Sequence, residues 1–572
     1  MSKIKFVSLG GLDERDNKCY SLSIDDDIFI VNVGIKVPFS VQLGVEKIIP
    51  DQQWIIDNKN NIRGIFIGEP SYENFGSLPF LLKNLQNIPI YTTDVGEFVI
   101  KNYFSDAENN IQDDLKKINF NQIVPLNTFK LGKCNVTPFK ITNSIPYSVG
   151  FIFSTNTESI ICVDNFMISS TKNKAFINNM EKINAITKNN NTLLIVDVGN
   201  VGTSYAFTAP NHSVSTYFNN IFSDNPGRIV FCAYERDLFK IIILLKIAAI
   251  NGRPVYIHNQ RTQKLINYLI KDKVSIKNIN FINKKQTENI DNAIILITSY
   301  NFDLYEKMLD ILDVDEEDND DDILKLKKSD TFVLACKTSN GHESIEAELV
   351  DDIYKFGANK VYRLDKDILE MRASNEDQKY LLHILSPKYV IPYGGLYMDL
   401  MNYKKNAAIT IENKNNILLL SNGQEVEFNN CQVENKFNFL KLQPQFVDKC
   451  GMIDYNSSPV FERSQMKENG IVLVNLYIDK NTKTIKDSNY DVVGVVNLKN
   501  ENKKIIDEIS SSSNEQTNLL LSEAANDKQI DLKNMKNNLK KFILKKFKKA
   551  FEKEPLVLIT IILSKDNKND NI

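Results

Sequence analysis

The chain has 572 residues, more than a single hydrophobic core normally holds, and this length predicts several globular units. Hydrophobic residues make up 42% and charged residues 25% of the sequence, which is the composition of an ordinary globular protein and not of a disordered one. The formal net charge of −3 excludes a globally basic nucleic-acid-binding protein, so any RNA contact must come from a local patch.

No apolar segment is long enough to cross a bilayer, which takes roughly 18 to 20 residues. The longest candidate, 556–563, is much shorter, and the N-terminal sequence MSKIKFVSLGG lacks the layout of a secretion signal. We therefore expect a cytoplasmic protein with no membrane partner.

The first 205 residues alternate short apolar runs with turns rich in Gly, Asn and Asp. Fully apolar strands of this length are typical of a sheet that is covered on both faces. The segment therefore predicts an α/β layer architecture. Its predicted strands include 4–9, 27–32, 64–67, 150–154, 159–163 and 193–196.

Between about 206 and 370, predicted strands alternate with helical stretches, which is the pattern of βαβ units and a parallel sheet. Farther on, a helix over 376–385 leads into a strand over 388–392, and 416–423 predicts a hairpin closed by Ser-Asn-Gly. A third unit follows, with strands, a polar stretch over 510–516, a long helix and a last strand over 556–563.

The predicted helix over 532–553 carries an apolar stripe and a set of lysines around it. The pattern fits a solvated amphipathic helix, and it also fits a face that contacts the phosphates of RNA. Both interpretations stay open from the sequence. The lysines in question are Lys540, Lys541, Lys545 and Lys546.

Ordered segments along nearly the whole chain are similar to ribonuclease J, a family of metallo-β-lactamase/β-CASP nucleases. They include GGL (10–12), DIFIVNVGIKVP (27–38), GIFI (64–67), NSIPYSVG (143–150), IVDVGN (195–200), GRIVFCAYERDLFK (227–240), RASNEDQK (372–379), SPKYVIPYGG (386–395) and KENGIVLV (467–474).

The resemblance implies an α/β fold: a metallo-β-lactamase αββα sandwich with an inserted β-CASP α/β domain and a small α+β C-terminal domain. The boundaries that follow are 1–205 and 371–430 for the two parts of the sandwich, 206–370 for the insertion, 431–460 for a linker and 461–565 for the C-terminal domain. The resemblance also implies a nuclease with two zinc or manganese ions, which degrades RNA from the 5′ end and cuts internally.

The positions where this family carries its metal ligands and catalytic histidine hold other residues here. Such a site needs imidazoles and carboxylates at fixed places to activate a water. We therefore predict no catalytic residue and no metal cofactor. The degenerate positions are Asn32, Glu69, Ser71, Glu73, Asn74, Asn143, Asn165, Arg372 and Gly394.

Two alternatives remain for this cleft. Glu69 and Glu73, joined by Asp164 or Asp197, offer carboxylates that could hold Mg²⁺ or Mn²⁺ weakly. Alternatively, basic side chains near the expected RNA path could contact phosphate. The basic candidates are Arg236, Lys240 and Arg372.

The sequence thus favours an inactive subunit that associates, as a homo- or hetero-oligomer, with an active ribonuclease J paralogue and with RNA. An active metal-dependent 5′–3′ exo- and endoribonuclease with a rebuilt carboxylate site is the first alternative. A scaffold that binds RNA or the ribosome without a nuclease partner is the second.

Overall fold

A computed structural model describes residues 3–38, 44–85, 87–105, 118–168, 173–203, 207–208, 210–300, 303–313, 324–338, 341–364, 370–434, 438–448, 451–454, 458–479, 482–497, 499–523 and 532–564. The chain forms two compact units, of which the first comprises residues 1–39 and 47–445 and the second residues 40–46 and 446–572. The finer boundaries predicted at 205 and 370 stay predictions.

The first sheet of the first unit begins as an antiparallel meander and continues in parallel. Strand Lys3–Gly10 pairs with the next strand along the chain and also with the late strand Gln424–Asn429. In spatial order, the strands of its main path are Gln432–Val433, Gln424–Asn429, Lys3–Gly10, Cys19–Ile24, Asp27–Val31, Ile62–Phe66, Ile90–Thr92 and Phe120–Gln122, with Asn438–Phe439 beside the second of these.

A second sheet packs against the first through aromatic side chains. The rings of Phe29 and Phe153 lie 5.1 Å apart, and those of Phe66 and Phe151 lie 5.2 Å apart. These pairs join the inner faces of the two sheets in one buried core. The second sheet has the strand order Tyr389–Tyr393, Asn191–Asp197, Ser159–Val163, Val149–Ser154, Cys134–Lys140 and Phe129–Leu131.

The segment between the two parts of this sandwich folds around a parallel sheet, as its alternating pattern predicts. Its central strands are entirely buried and have apolar clusters on both faces. The predicted fold class, an α/β sandwich with an inserted α/β domain, is therefore confirmed. The strand order is Val255–Ile257, Ile294–Ser299, Ile229–Tyr234, Thr331–Leu334 and Lys360–Arg363.

Helices cover the sheets of the first unit. Helix Asp94–Tyr103 contacts the first sheet and Tyr397–Ala407 contacts the second. Among the described residues, no helix combines the length and apolarity needed to cross a membrane. The other helices of this unit are Gln53–Asp57, Tyr72–Phe75, Leu78–Leu82, Ile183–Thr187, Pro210–Asp224, Leu238–Ile250, Gln260–Asp272, Lys284–Asn289, Asp303–Leu312, Glu343–Phe356 and Asn375–Leu385.

The hairpin predicted over 416–423 is wrong. Ile417 and Leu420 are buried, and the segment binds strand Tyr389–Tyr393 through Leu418 N, which donates to the carbonyl of Val390 at 2.8 Å. The strand that follows the turn pairs with the N-terminal strand instead. Burial of the apolar run against the second sheet therefore outweighs the local turn signal.

The second unit is an α+β structure. Strand Ile471–Asp479 pairs antiparallel with Thr484–Val493 and parallel with Leu556–Leu563. Met535, Leu539, Ile543 and Phe547 form the buried stripe of the lysine-rich helix, as predicted. The unit's helices are Ser458–Asn469, Asn500–Glu523 and Leu532–Phe551, and short strands precede them at Gln445–Asp448 and Gly451–Asp454.

The polar stretch over 510–516 is helical and lies within Asn500–Glu523. The hydroxyls of Ser510 and Ser513 donate to carbonyls four residues earlier, at 2.9 and 2.7 Å. Serine side chains that bind back to their own helix are satisfied there, and Ser513 is fully buried.

Candidate functional site

The predicted degenerate positions lie together in one cleft of the first unit. Hydrogen bonds, ion pairs and close approaches connect them to one another and to Asp164 and Asp197. The structure therefore brings these positions together, and their lack of a catalytic role stays a prediction. The residues gathered there are Asn32, Glu69, Ser71, Glu73, Asn74, Asn143, Asn165, Arg372 and Gly394.

Strand ends place these side chains. Asn32 directly follows strand Asp27–Val31, and Asp164 directly follows Ser159–Val163. Asp197 is the last residue of its own strand, which runs parallel to the strand before Asp164. The carboxyl ends of parallel strands meet at one edge of a sheet, where α/β proteins build their sites.

Amide side chains hold the carboxylates of Glu69 and Asp164. Asn32 Nδ2 donates to both oxygens of Asp164, at 3.0 and 3.2 Å. Asn165 and Asn74 donate to Glu69 at 3.5 and 3.4 Å. These asparagines therefore act as hydrogen-bond donors toward the acids.

Asn143 and Ser71 bind the main chain of the same cleft. Asn143 Nδ2 donates to the carbonyl of Asn165 at 3.0 Å, and its Oδ1 accepts from Ile145 N at 2.9 Å. Ser71 N donates to the carbonyl of Glu69 at 2.8 Å. The buried hydroxyl of Ser71 has no hydrogen-bond partner in the described part of the chain.

A lysine lies at the centre of the acidic cluster. Lys18 Nζ is 2.6 Å from Asp197 Oδ2, and each side chain is 1% exposed. Burial opposes the charge of Lys18, but Asp197, Glu69 and Asp164 together raise its pKa above the ordinary value. Burial likewise opposes the charge of Asp197, whose pKa is nonetheless lowered by Lys18 and Arg372. A buried ammonium ion thus neutralises the carboxylate of Asp197.

Gly394, one of the degenerate positions, has no room for a side chain. Its φ is +73°, and a Cβ would lie 2.5 Å from Asp197 Oδ2 and 3.1 Å from Lys18 Cε. The glycine therefore makes space for the Lys18–Asp197 pair.

We expect Gly394→Ala to lower the stability of the first unit by about 1–3 kcal/mol, because the added methyl group overpacks the ion pair and strains a left-handed backbone. The measurement is urea unfolding followed by tryptophan fluorescence. Gly227→Ala is the matched control, since a Cβ there meets nothing within 4 Å. If the two variants unfold at the same urea concentration, Gly394 is not needed to make space for the Lys18–Asp197 pair.

Two arginines supply further positive charge. Arg236 forms an ion pair with the buried Glu73 and lies 3.8 Å from Glu370. Arg372 Nη2 lies 3.9 Å from Glu73 Oε2. Burial opposes the charge of Arg372, but Asp197, Glu370 and Glu69 raise its pKa. Lys18, Arg236 and Arg372 thus place three cations of the chain itself among the acids of the cleft.

Glu69 and Asp164 are the acids most affected by burial. Burial, with a smaller contribution from Asp164, raises the pKa of Glu69 to about 7, although Lys18 and Arg372 oppose the shift. Burial also raises the pKa of Asp164, against Lys18 and the hydrogen bond from Asn32. Glu69 therefore changes its protonation near neutral pH.

These residues do not fit two zinc or manganese ions. The ammonium of Lys18 occupies one face of Asp197, and the amides of Asn32 and Asn165 donate toward the carboxylates that would be ligands. Hard dications need oxygen or imidazole ligands that are free to coordinate. In the described ranges, no three or more His, Cys, Asp or Glu side chains are grouped as a metal site would require.

The basic residues predicted to contact RNA lie in different environments. Arg236 and Arg372 line a polar cleft of about 310 Å³, together with Glu69 and Glu73. Lys240 is buried, and its ammonium donates to Asp237 at 2.9 Å and to a carbonyl, which disfavours contact with a ligand. In the second unit, Lys540, Lys541 and Lys545 are exposed, and Lys546 is half-buried.

Sequence reasoning missed Lys18. Its partner Asp197 is 179 residues away in the chain, so no local spacing connects the two. The available signal was a charged residue directly before Cys19–Ile24, a strand in which every residue is buried. A lysine in that position needs a buried acid as its partner.

Comparison with known proteins agrees with this architecture. A solved structure of a protein of unknown function from Enterococcus faecalis matches with a TM-score of 0.51 at 12% identity, over 74% of this chain and 100% of that one, which supports the fold alone. The uncharacterized protein MG423 of Mycoplasma genitalium is 36% identical over 98% of this chain and its own full length.

The two-sheet sandwich and its insertion, together with the similarity to ribonuclease J, are those of the metallo-β-lactamase/β-CASP fold. Residues 459–564 match the family model described as the ribonuclease J C-terminal domain. Ribonuclease J2 of Bacillus subtilis is 25% identical over 84% of this chain and 85% of its own length. The chain belongs to the ribonuclease J family, whose name places it in RNA processing.

Proposed function

We propose that this protein is a catalytically inactive, cytoplasmic ribonuclease J subunit, which acts in RNA decay by associating with RNA and with an active paralogue. The observation that carries the proposal is the buried Lys18–Asp197 ion pair at the centre of the cleft. An ammonium ion can neutralise a carboxylate, but it cannot lower the pKa of a bound water as a dication does.

The charge balance of the cleft supports the same proposal. Glu69, Glu73, Asp164 and Asp197 are the acids that a rebuilt metal site would use. Glu73 is paired with Arg236, and Asp197 is paired with Lys18. A dication entering this cleft would have to displace cations that are covalently part of the chain. This disfavours the alternative of an active nuclease with carboxylate ligands.

The partnership with a paralogue rests on what the chain retains. The two-sheet core is closely packed, with aromatic pairs across it, while the family's ligand positions hold other residues. A chain that keeps the core but not the ligands is suited to a role in assembly, and soluble oligomers most often join chains of one kind.

We expect the purified protein to contain no stoichiometric zinc or manganese and to leave 5′-monophosphorylated RNA uncut in Mg²⁺ or Mn²⁺. The measurements are metal content by mass spectrometry, on protein prepared without chelators, and gel analysis of the RNA. Stoichiometric metal together with cleavage that disappears in a Glu69→Ala, Glu73→Ala variant would establish the active alternative.

The partnership is tested by size-exclusion chromatography of this protein mixed with an active ribonuclease J chain. We expect the two chains to co-elute, and separate elution would count against the partnership.

The exposed lysines of helix Leu532–Phe551 favour RNA binding. A scaffold that acts without a nuclease partner would bind RNA in the same way. We expect the triple variant Lys540→Gln, Lys541→Gln, Lys545→Gln to weaken binding of single-stranded RNA and to reduce its dependence on salt concentration, because with fewer phosphate contacts fewer counterions are released on binding. Binding is measured over a salt series by fluorescence anisotropy.

The matched control changes the same number of exposed lysines in the same unit, at Lys499, Lys503 and Lys504. If both triple variants reduce affinity and salt dependence equally, the effect comes from net charge and not from the helix. A control that binds like the unmodified protein would assign the contact to the lysine-rich face.

A further inference from the structure

The floor of the polar cleft in the first unit is shielded from solvent. Glu69, Glu73 and Asn165 line the cleft and are each at most 5% exposed. A strand of RNA can therefore reach these buried side chains only if partly exposed residues of the lining move aside. Those residues are Arg236, Asp237, Glu370 and Arg372.

Arg236 joins the inserted parallel sheet to the sandwich across this cleft. It comes just after strand Ile229–Tyr234 of the insertion, whereas its ion-pair partner Glu73 lies in a helix between two strands of the first sandwich sheet. Arg236 also lies 3.8 Å from Glu370. The ring of Tyr234 lies 5.6 Å from its guanidinium, a cation–π contact that holds the arginine at its own strand end.

A second set of contacts joins the insertion to the sandwich. The rings of Phe98, from the sandwich, and Tyr268, from the insertion, are stacked 4.0 Å apart with 4° between their planes. Lys273 of the insertion forms an ion pair with Asp94, and its carbonyl accepts a hydrogen bond from the hydroxyl of Tyr147 at 2.9 Å. Packed and paired side chains, in addition to Arg236, therefore hold the two parts together.

The charge of Glu73 makes closure depend on Arg236. A buried carboxylate without a counterion is strongly disfavoured. Arg372 Nη2 lies 3.9 Å from Glu73, beyond hydrogen-bond distance, whereas Arg236 donates a hydrogen bond to it. With the pair intact, Glu73 is neutralised in the closed cleft. Without Arg236, opening the cleft to water would hydrate the carboxylate and so become more favourable.

We propose that the Arg236–Glu73 ion pair keeps the cleft closed, so that RNA does not reach the cleft floor. RNA that associates with this protein then binds outside the cleft. That consequence rests on the proposed function, whereas closure itself is a property of the first unit and is tested without RNA.

Closure is measured through the reactivity of a thiol placed in the lining of the cleft. Ser144→Cys is a nearly isosteric change at a buried lining residue, and Ser344→Cys places a thiol at an exposed position of the insertion. Alkylation of each thiol by N-ethylmaleimide is followed over time by mass spectrometry of peptides. Cys162, buried in the core of the sandwich, reacts only if the unit unfolds, so it reports folding in every sample.

Two substitutions break the ion pair in the Ser144→Cys protein. We expect Arg236→Gln to raise the alkylation rate at position 144 by about tenfold or more, because it removes a charged hydrogen bond and leaves a buried carboxylate that opening would hydrate. Glu73→Gln raises the rate by about threefold, since it breaks the pair but leaves no buried carboxylate to hydrate. Arg363→Gln is the matched control and leaves the rate unchanged, because Arg363 pairs with Glu346 within the insertion, at 2.7 Å.

Slower alkylation at position 144 than at position 344, with the expected order of the variants, supports closure. Equal rates at the two positions without a further substitution would overturn it, as would a rate for Arg236→Gln no higher than that for Arg363→Gln. If Cys162 also reacts in Arg236→Gln, that variant is unfolded and Glu73→Gln decides. None of these outcomes depends on metal content, RNA cleavage or RNA binding, so closure and the proposed function can fail separately.

Discussion

Replacing Lys18 with methionine is expected to lower the free energy of unfolding of the first unit by about 3–5 kcal/mol, because removal of one partner of a buried ion pair leaves an uncompensated charge. Lys18 and Asp197 are each 1% exposed and lie 2.6 Å apart, so water cannot replace the lost partner. Methionine keeps the length and apolar stem of the side chain. The chain's single tryptophan, Trp54, lies in the first unit and reports its unfolding in urea.

The double variant Lys18→Met, Asp197→Asn provides the control. It removes both charges, while the oxygen of the new amide can still accept the hydrogen bond that Asp197 Oδ1 receives from Gly199 N at 2.7 Å. We expect it to be more stable than Lys18→Met alone, since replacing both partners of a buried pair is often close to neutral. If the decreases in the free energy of unfolding caused by the two single substitutions simply add in the double variant, the two charges do not interact. Lys18 then does not neutralise Asp197 in the cleft.

Much of the fold was readable from the sequence because its signals are local. Apolar strands bounded by Gly, Asn and Asp predicted a covered sheet, and alternating strands and helices predicted the parallel sheet of the insertion. The two-sheet sandwich was expected from the resemblance to ribonuclease J. The positions Asn32, Glu69 and Asp164 came from the order of the family's motifs, and each follows a strand or its turn in the structure. Motif order thus located the cleft.

What the cleft contains was harder to predict, because it depends on contacts distant in sequence. The partner of Lys18 comes from a strand of the other sheet. The need for a glycine at 394 follows only from the position of that ion pair, which a Cβ would contact. No spacing rule connects such residues before the chain is folded.

The pH dependence of stability is expected to change when Glu69 is replaced by glutamine. The pKa of Glu69 rises from an ordinary 4.5 to about 7, chiefly through burial. Between these two values the folded state holds a proton that the unfolded state has released, so stability falls as pH rises through this window. The loss amounts to about 3 kcal/mol and is complete above pH 7.

Glu69→Gln cannot ionise, so this loss should be absent from the variant. We expect the variant and the unmodified protein to have similar stability near pH 4.5 and the variant to be more stable at pH 8, in urea unfolding followed at Trp54. Glu73→Gln is the contrasting change, because Glu73 is paired with Arg236 and its neutralisation should destabilise the unit instead. If Glu69→Gln increases the free energy of unfolding equally at pH 4.5 and pH 8, the increase does not come from removing a buried, ionised carboxylate. Opposite effects of the two substitutions would show that the ionised carboxylate of Glu69 destabilises the unit, whereas that of Glu73 stabilises it through Arg236.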